Sequence, residues 1–249
     1  MRYLVISDIH DKIDTARRII DHEPHDRRIF LGDFFDDFPT GAKAAKQTAI
    51  FAREQLRDDF ADVVMGNHDM SYGWGHANRE LMSAGFTKAK HDAIHAELSW
   101  DDWCKFKLHL WVPGPRRRPW LITHAGFDYH FLPDGQGVVD VVDHRCAMAL
   151  KSLHGPIPYE RGRGHSILGC GRDRCGSQYK GGVLWCDWRS LDMPPGMDQL
   201  VGHTPGREPR VEDQSDAIGV CLDTGLRHYG ILEDGLLSVK ETHRIPIAA

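Results

Sequence analysis

Long apolar runs are missing from this 249-residue chain, and none approaches the ~18 residues of a membrane span. The opening run Tyr3–Ile6 is also too short for the apolar region of a secretory signal. A basic excess is missing too. Lys and Arg number 31 against 36 Asp and Glu, a formal net charge of -5, so the whole-chain footprint of a nucleic-acid binder is absent. One local basic candidate, Arg116-Arg117-Arg118, remains. There is no repeat, no low-complexity linker and no Gly-x4-Gly-Lys-Ser/Thr phosphate loop. Close cysteine pairs are lacking as well. Cys170-x4-Cys175, with Cys186 and His165, only marginally matches the spacing and ligand count of structural zinc, so these are read as reduced thiols in a loop. Together these absences predict a cytoplasmic protein with no membrane segment.

What is present is an ordinary globular composition, 41% hydrophobic and 27% charged, with an unusual 16 histidines. Histidine is the commonest metal ligand and a ready general acid. Short apolar runs recur, each ending in a polar turn: Tyr3–Ile6 before Ser7-Asp8, Arg28–Leu31 before Gly32-Asp33, and Val63–Met65 before Gly66-Asn67. Trp120–Ile122 precedes Thr123-His124, and Gln199–Val201 precedes Gly202-His203. Runs of this length bounded by glycine predict buried strands.

Helical patterns lie between them. Ala42, Ala45, Ala49, Ala52, Leu56 and Phe60 make one stripe over residues 41–60. Residues 15–20, 138–153 and roughly 91–110 are further helix candidates. Gly219–Leu222, Tyr229–Leu232 and Leu236–Lys240, with turns at Thr224-Gly225 and Asp234-Gly235, predict an antiparallel meander. The class is therefore mixed α/β. Residues 155–182 hold eight of the 25 glycines and read as a loop-rich insertion in a single domain spanning 1–249.

Polar residues at the carboxyl ends of strands are where such folds place chemistry. Here those ends supply Asp8, His10, Asp33, Asn67, His124 and His203. Carboxylate, amide oxygen and imidazole suit divalent Mn, Fe or Zn rather than an all-oxygen calcium site. Each piece alone is an ordinary turn. Five in order, each after an apolar run, form a set hard to obtain by chance.

These residues resemble the calcineurin-like metallophosphoesterases, whose signature runs Asp-x-His, Gly-Asp-x-x-Asp, Gly-Asn-His-Asp/Glu, a later His and a Gly-His. All five occur between residues 8 and 203. The resemblance implies a four-layer αββα sandwich of two mixed sheets flanked by helices. It implies two divalent metal ions, manganese first, with Fe, Zn, Ni or Mg as alternatives. Asp8, His10 and a bridging Asp33 would hold one ion. Asp33, Asn67, His124 and His203 would hold the other. A hydroxide shared by the metals would attack phosphorus in line. His68 would assist the leaving oxygen, and Asp36 would orient His68.

Within the family, phosphodiesterases often carry Gly-His-x-His. Gly202-His203-Thr204-Pro205 lacks the second histidine and is similar to phosphoprotein phosphatases and bis(5′-nucleosyl)-tetraphosphatases. Leu184–Arg189 and Val220–Gly225 resemble segments of that branch too. The branch's arginine after Gly-Asp-x-x-Asp is absent, because Asp37 follows Asp36, and Asp69 stands where Glu is favoured. Some other guanidinium must then bind phosphate bidentately. Arg189 is the first choice, with Arg172, Arg174 and Arg207 as alternatives. Phe34, Phe35 and Phe38 are candidates for the substrate entrance.

The expected function is hydrolysis of a phosphorylated small molecule, nucleotide or phosphoprotein. A nuclease or phosphodiesterase is the alternative, disfavoured by the acidic balance. A non-catalytic scaffold is the third reading, and it fits poorly with six intact ligands.

Overall fold

The computed structural model describes residues 1–75, 81–114, 118–154, 165–214 and 216–246. The run Arg2–Ile6 forms β1, its β-branched Val5 and Ile6 suiting a pleated, buried surface. Helix α1 (Ile13–His22) then returns the chain to β2 (Arg27–Phe30), and α2 (Ala42–Arg57) returns it to β3 (Ala61–Val63). Both crossovers leave their strands parallel. Helix α2 buries Ala45, Ala49, Ala52 and Leu56, the stripe anticipated from spacing, whereas Phe60 lies beyond its end and is exposed.

Downstream come α3 (Asn67–Trp74), α4 (Lys88–His95), α5 (Trp100–Trp103), β4 (Leu110–Val112), β5 (Trp120–Ile122) and α6 (Val138–His154). The chain ends in β6 (Asp198–Val201), β7 (Arg210–Gln214), β8 (Ala217–Cys221), β9 (His228–Glu233) and β10 (Leu236–Glu241). The described residues form two mixed five-stranded sheets, ordered β10-β9-β1-β2-β3 and β4-β5-β6-β8-β7.

The sheets pack face to face. Val5, Ile29 and Leu31 from the first meet Val112, Trp120, Ile122, Leu200 and Val220 from the second in one apolar cluster. The other face of the first sheet buries Leu4, Ile6 and Phe30 with residues of α1 to α6. On the second sheet, Val201, Ala217 and Cys221 are covered by Cys186, Trp188, Leu191 and Met193. So the αββα sandwich is present, and part of its fourth layer is irregular chain rather than helix.

Two expectations needed correction, and one strand was missed. The helix read over 91–110 is the two short helices α4 and α5 followed by the start of β4, because Ser99 and Asp102 cap a new helix and break the old one. The C-terminal meander is not continuous. β8 pairs parallel with β6 and antiparallel with β7, while β9 and β10 join the other sheet beside β1. The Thr224-Gly225 turn therefore carries the chain between sheets instead of closing a hairpin. β7 was not anticipated, since Arg210–Gln214 is a half-exposed edge with little apolar signal. Arg116 and Arg117, together with 155–164 of the glycine-rich insertion, lie outside the described residues. No helix among the described residues is long and apolar enough to cross a membrane.

Candidate metal centre

Because β1, β2 and β3 run parallel, as do β5, β6 and β8, their carboxyl ends gather the polar turns at one place. Asp8 and His10 follow β1, Asp33 follows β2, Asn67 follows β3, His124 follows β5, and His203 follows β6. Asp33 belongs to two groups whose donor atoms lie within 4.8 Å of one another: Asp8, His10 and Asp33, and Asp33, His124 and His203. Cys170, Cys175 and Cys186 enter no such group among the described residues.

The backbone sets the donor atoms. His124 Nδ1–H donates to Leu31 O at 2.7 Å, and His10 Nδ1–H donates to Phe35 O at 2.9 Å. Each ring therefore turns its Nε2 lone pair toward the centre. His124 Nε2 lies 3.0 Å from Asn67 Oδ1, 3.1 Å from His203 Nδ1 and 3.4 Å from Asp33 Oδ2. Lone pairs converging this closely repel unless a proton or cation sits among them. His203 Nε2 is also buried without a hydrogen-bond partner. Burial pushes the His124 imidazole down, but Asp33 and Asp8 outweigh it and bring it up to about 9. The centre thus carries surplus negative charge, and its mixed oxygen and nitrogen donors fit divalent cations.

Other bonds fix the carboxylates. Asp33 Oδ1 accepts from His68 N at 2.9 Å, and Asp8 Oδ1 accepts from His203 N at 2.9 Å. Asp69 accepts from the backbone N–H groups of Asp33, Phe34 and Gly66 at 2.8–2.9 Å. The shorter acid at 69 thereby clamps the turn bearing Asp33 to the turn bearing Asn67. Burial and the Asp33 charge push Asp69 up to about 7. Asp223, 4% exposed, lines the same cavity and is raised to about 7 by burial and by Asp8.

His68 and Asp36 come together as anticipated, Nδ1 to Oδ2 at 2.8 Å. The cavity beside them measures about 420 Å³. Phe38 lines it, whereas Phe34 and Phe35 are fully buried core.

The arginines are placed differently from the first expectation. Arg189 is not among the cavity's lining residues; its side chain is 77% exposed and pairs outward with Asp187 at 2.8 Å. Arg172 and Arg207 are exposed and do not line the cavity. Arg174 does line it, ion-paired with Asp187 at 2.9 Å and donating from its other end to Thr204 Oγ1 at 2.8 Å. Arg189 and Arg174 together hold the Asp187 carboxyl well below the usual range. Lys12 and Arg227 also line the cavity and were missed. The signal for Lys12 was its place two residues past His10, and for Arg227 its closeness to the Asp223-Thr224-Gly225 turn.

The fold and site together define a metal-dependent phosphoesterase. The family model for calcineurin-like phosphoesterases matches residues 1–169, and the chain belongs to that family. It is accordingly a phosphoric ester hydrolase. No curated protein matches the chain. Among solved structures, the cold-active protein-tyrosine phosphatase of a psychrophilic Shewanella species is similar, with a TM-score of 0.61 and 14% identity over 97% of this chain and 78% of that one. A protein serine/threonine phosphatase of Saccharomyces cerevisiae, described as similar to human phosphatase PP5, gives a TM-score of 0.51 and 11% identity over 96% and 79%. At these identities the likeness is one of fold.

Proposed function

We propose that the chain hydrolyses phosphate monoesters at a site holding two divalent ions, with manganese the first to test. One juxtaposition supports this. On a single cavity, the cluster sharing Asp33 faces Arg174, a guanidinium already fixed by Asp187 and Thr204. In this reading Asp8, His10 and Asp33 hold one ion, and Asp33, Asn67, His124 and His203 hold the other. When bound, the ions supply Lewis-acid polarisation and an activated water nucleophile.

The chain's own residues do the rest. Arg174 grips the non-bridging oxygens of a dianionic phosphate, the group a monoester has and a diester lacks. Asp36 holds one proton of the His68 imidazolium on Nδ1, so the other proton, on Nε2, faces the cavity and passes to the leaving oxygen. Phe38 and Trp185 flank the cavity, which favours a nucleoside polyphosphate as the second substrate reading because its base needs an aromatic face.

The test is a manganese-supplemented panel of p-nitrophenyl phosphate, its bis ester, a phosphopeptide, a dinucleoside tetraphosphate and single-stranded DNA. Monoester turnover is expected, with Asp33→Asn inactive. Arg174→Ala should raise KM roughly tenfold, the usual scale for losing a charge-assisted bidentate contact. Turnover of the bis ester alone would overturn the reading.

A further inference from the structure

Lysine is almost never fully buried unless paired. Lys90 is 5% exposed, and it sits four residues before Ile94 on the buried face of α4. Its Nζ lies 2.9 Å from Asp36 Oδ1. The same oxygen accepts from the Tyr72 hydroxyl at 2.6 Å, while Oδ2 accepts from His68 Nδ1 at 2.8 Å and Ser83 Oγ at 3.3 Å. Asp36 is therefore enclosed by α3, α4 and the segment from Ser83 to Gly85. A Cβ on Gly85 would overlap its carboxyl group, so that segment presses directly against it.

Stability alone does not account for this arrangement. Replacing a buried ion pair by apolar groups of similar volume is often neutral or stabilising. What the ammonium adds is direction. Lys90 and Tyr72 occupy Oδ1, which leaves Oδ2 turned to His68 and fixes the tilt of that ring. The cation on Asp36 comes from a helix 54 residues downstream, so the contact depends on how α4 packs.

We infer that Lys90 is a positioning residue: held against Asp36, it fixes the carboxylate that aims His68 at the leaving oxygen. This rests on the leaving-group role proposed for His68, and the experiment separates the two. Metal content, kcat and KM are measured for the wild-type chain, His68→Asn, Lys90→Met and Lys90→Arg, each with p-nitrophenyl phosphate and phenyl phosphate. The first ester's leaving group scarcely needs a proton, and the second's does.

His68→Asn should lose far more on phenyl phosphate. Lys90→Met should show the same bias, with kcat on phenyl phosphate down about tenfold, the scale of a mispositioned acid. Its KM and metal content should stay near wild type, and Lys90→Arg should regain most of the loss. Lys90→Gln, which keeps a donor without the charge, gives the same reading if the methionine variant does not fold. Equal losses on both esters, or none, alongside a biased His68→Asn, would sink the role of Lys90 and leave that of His68. An unbiased His68→Asn would remove both.

Discussion

Around the centre His10, Asp11, Asp33, Asp36 and His203 all sit at positive φ, between 43° and 74°. Such backbone costs on the order of 1–3 kcal/mol per residue and persists where surrounding contacts over-determine it. Those contacts here are tight. A Cβ at Gly66 would overlap Asp33 Oδ1 and N, and one at Gly202 would overlap Asp8 Oδ2. The glycines before Asn67 and His203 thus each let two turns touch. Gly66→Ala should displace Asp33, destabilise the fold by about 1–3 kcal/mol as overpacking does, and halve or abolish metal content by elemental analysis. Gly41→Ala, where a Cβ meets nothing within 4 Å, is the control and should keep its metal. Full metal content in Gly66→Ala would contradict this account. The gathering of the six candidate donors was legible in sequence because each follows an apolar run and a turn. Lys90 was not, since a lysine in a helix reads as solvated until its packed face is known. The choice of Arg174 over Arg189 was equally hidden, because it depends on which side of Asp187 faces the cavity.

At the scale of elements, α1, α2 and α6 could be read from spacing, and so could the five strands ending at the candidate donors. The pairing of β8 could not. A turn such as Asp223-Thr224-Gly225 serves a hairpin or a crossing equally well, and only packing between the sheets decides. The break that separates α5 from α4 was hidden inside the helix read over 91–110, and α5 is held by local polar bonds. Asp102 accepts from Ser99 N at 2.9 Å and from Arg57 Nε and Nη2 at 2.8 and 2.9 Å, tying α5 to the end of α2. Burial pushes this carboxyl up, yet the Arg57 and Ser99 bonds outweigh it and bring it down to about 2. A carboxyl lowered on folding contributes stability that is present above its ordinary pKa, near 3.8, and is lost as pH falls toward 2. With Arg57 half exposed, screening leaves about 1–2 kcal/mol. Asp102→Asn should therefore lower Tm at pH 7, and the gap from wild type should close between pH 4 and 2. A gap independent of pH in that window would mean Asp102 acts by shape alone.

Taken whole, the molecule has its donors on both sheets: Asp8, His10, Asp33 and Asn67 follow strands of the first, and His124 and His203 follow strands of the second. Between the sheets lies an apolar cluster that fixes their separation but carries no charge. Cations shared by the two groups around Asp33 would join the layers at their carboxyl edge, and they would relieve the repulsion among the converging donors. Anything bound by the folded chain and not by the unfolded one stabilises by mass action, about 2.7 kcal/mol at a hundredfold excess over Kd. For a chain of this size each kcal/mol moves Tm by roughly 2–4 °C. Manganese added to chelator-treated protein should raise Tm by about 5–10 °C on that scale, saturably, and excess chelator should reverse it. Asp33→Asn, which weakens both groups at once, should abolish the shift, whereas His68→Asn should keep it because the His68 ring bonds to Asp36, outside the cluster, and its backbone bond to Asp33 survives the substitution. A wild-type Tm indifferent to manganese would mean that the two layers do not meet through metal, and that the donors hold one another by protons instead.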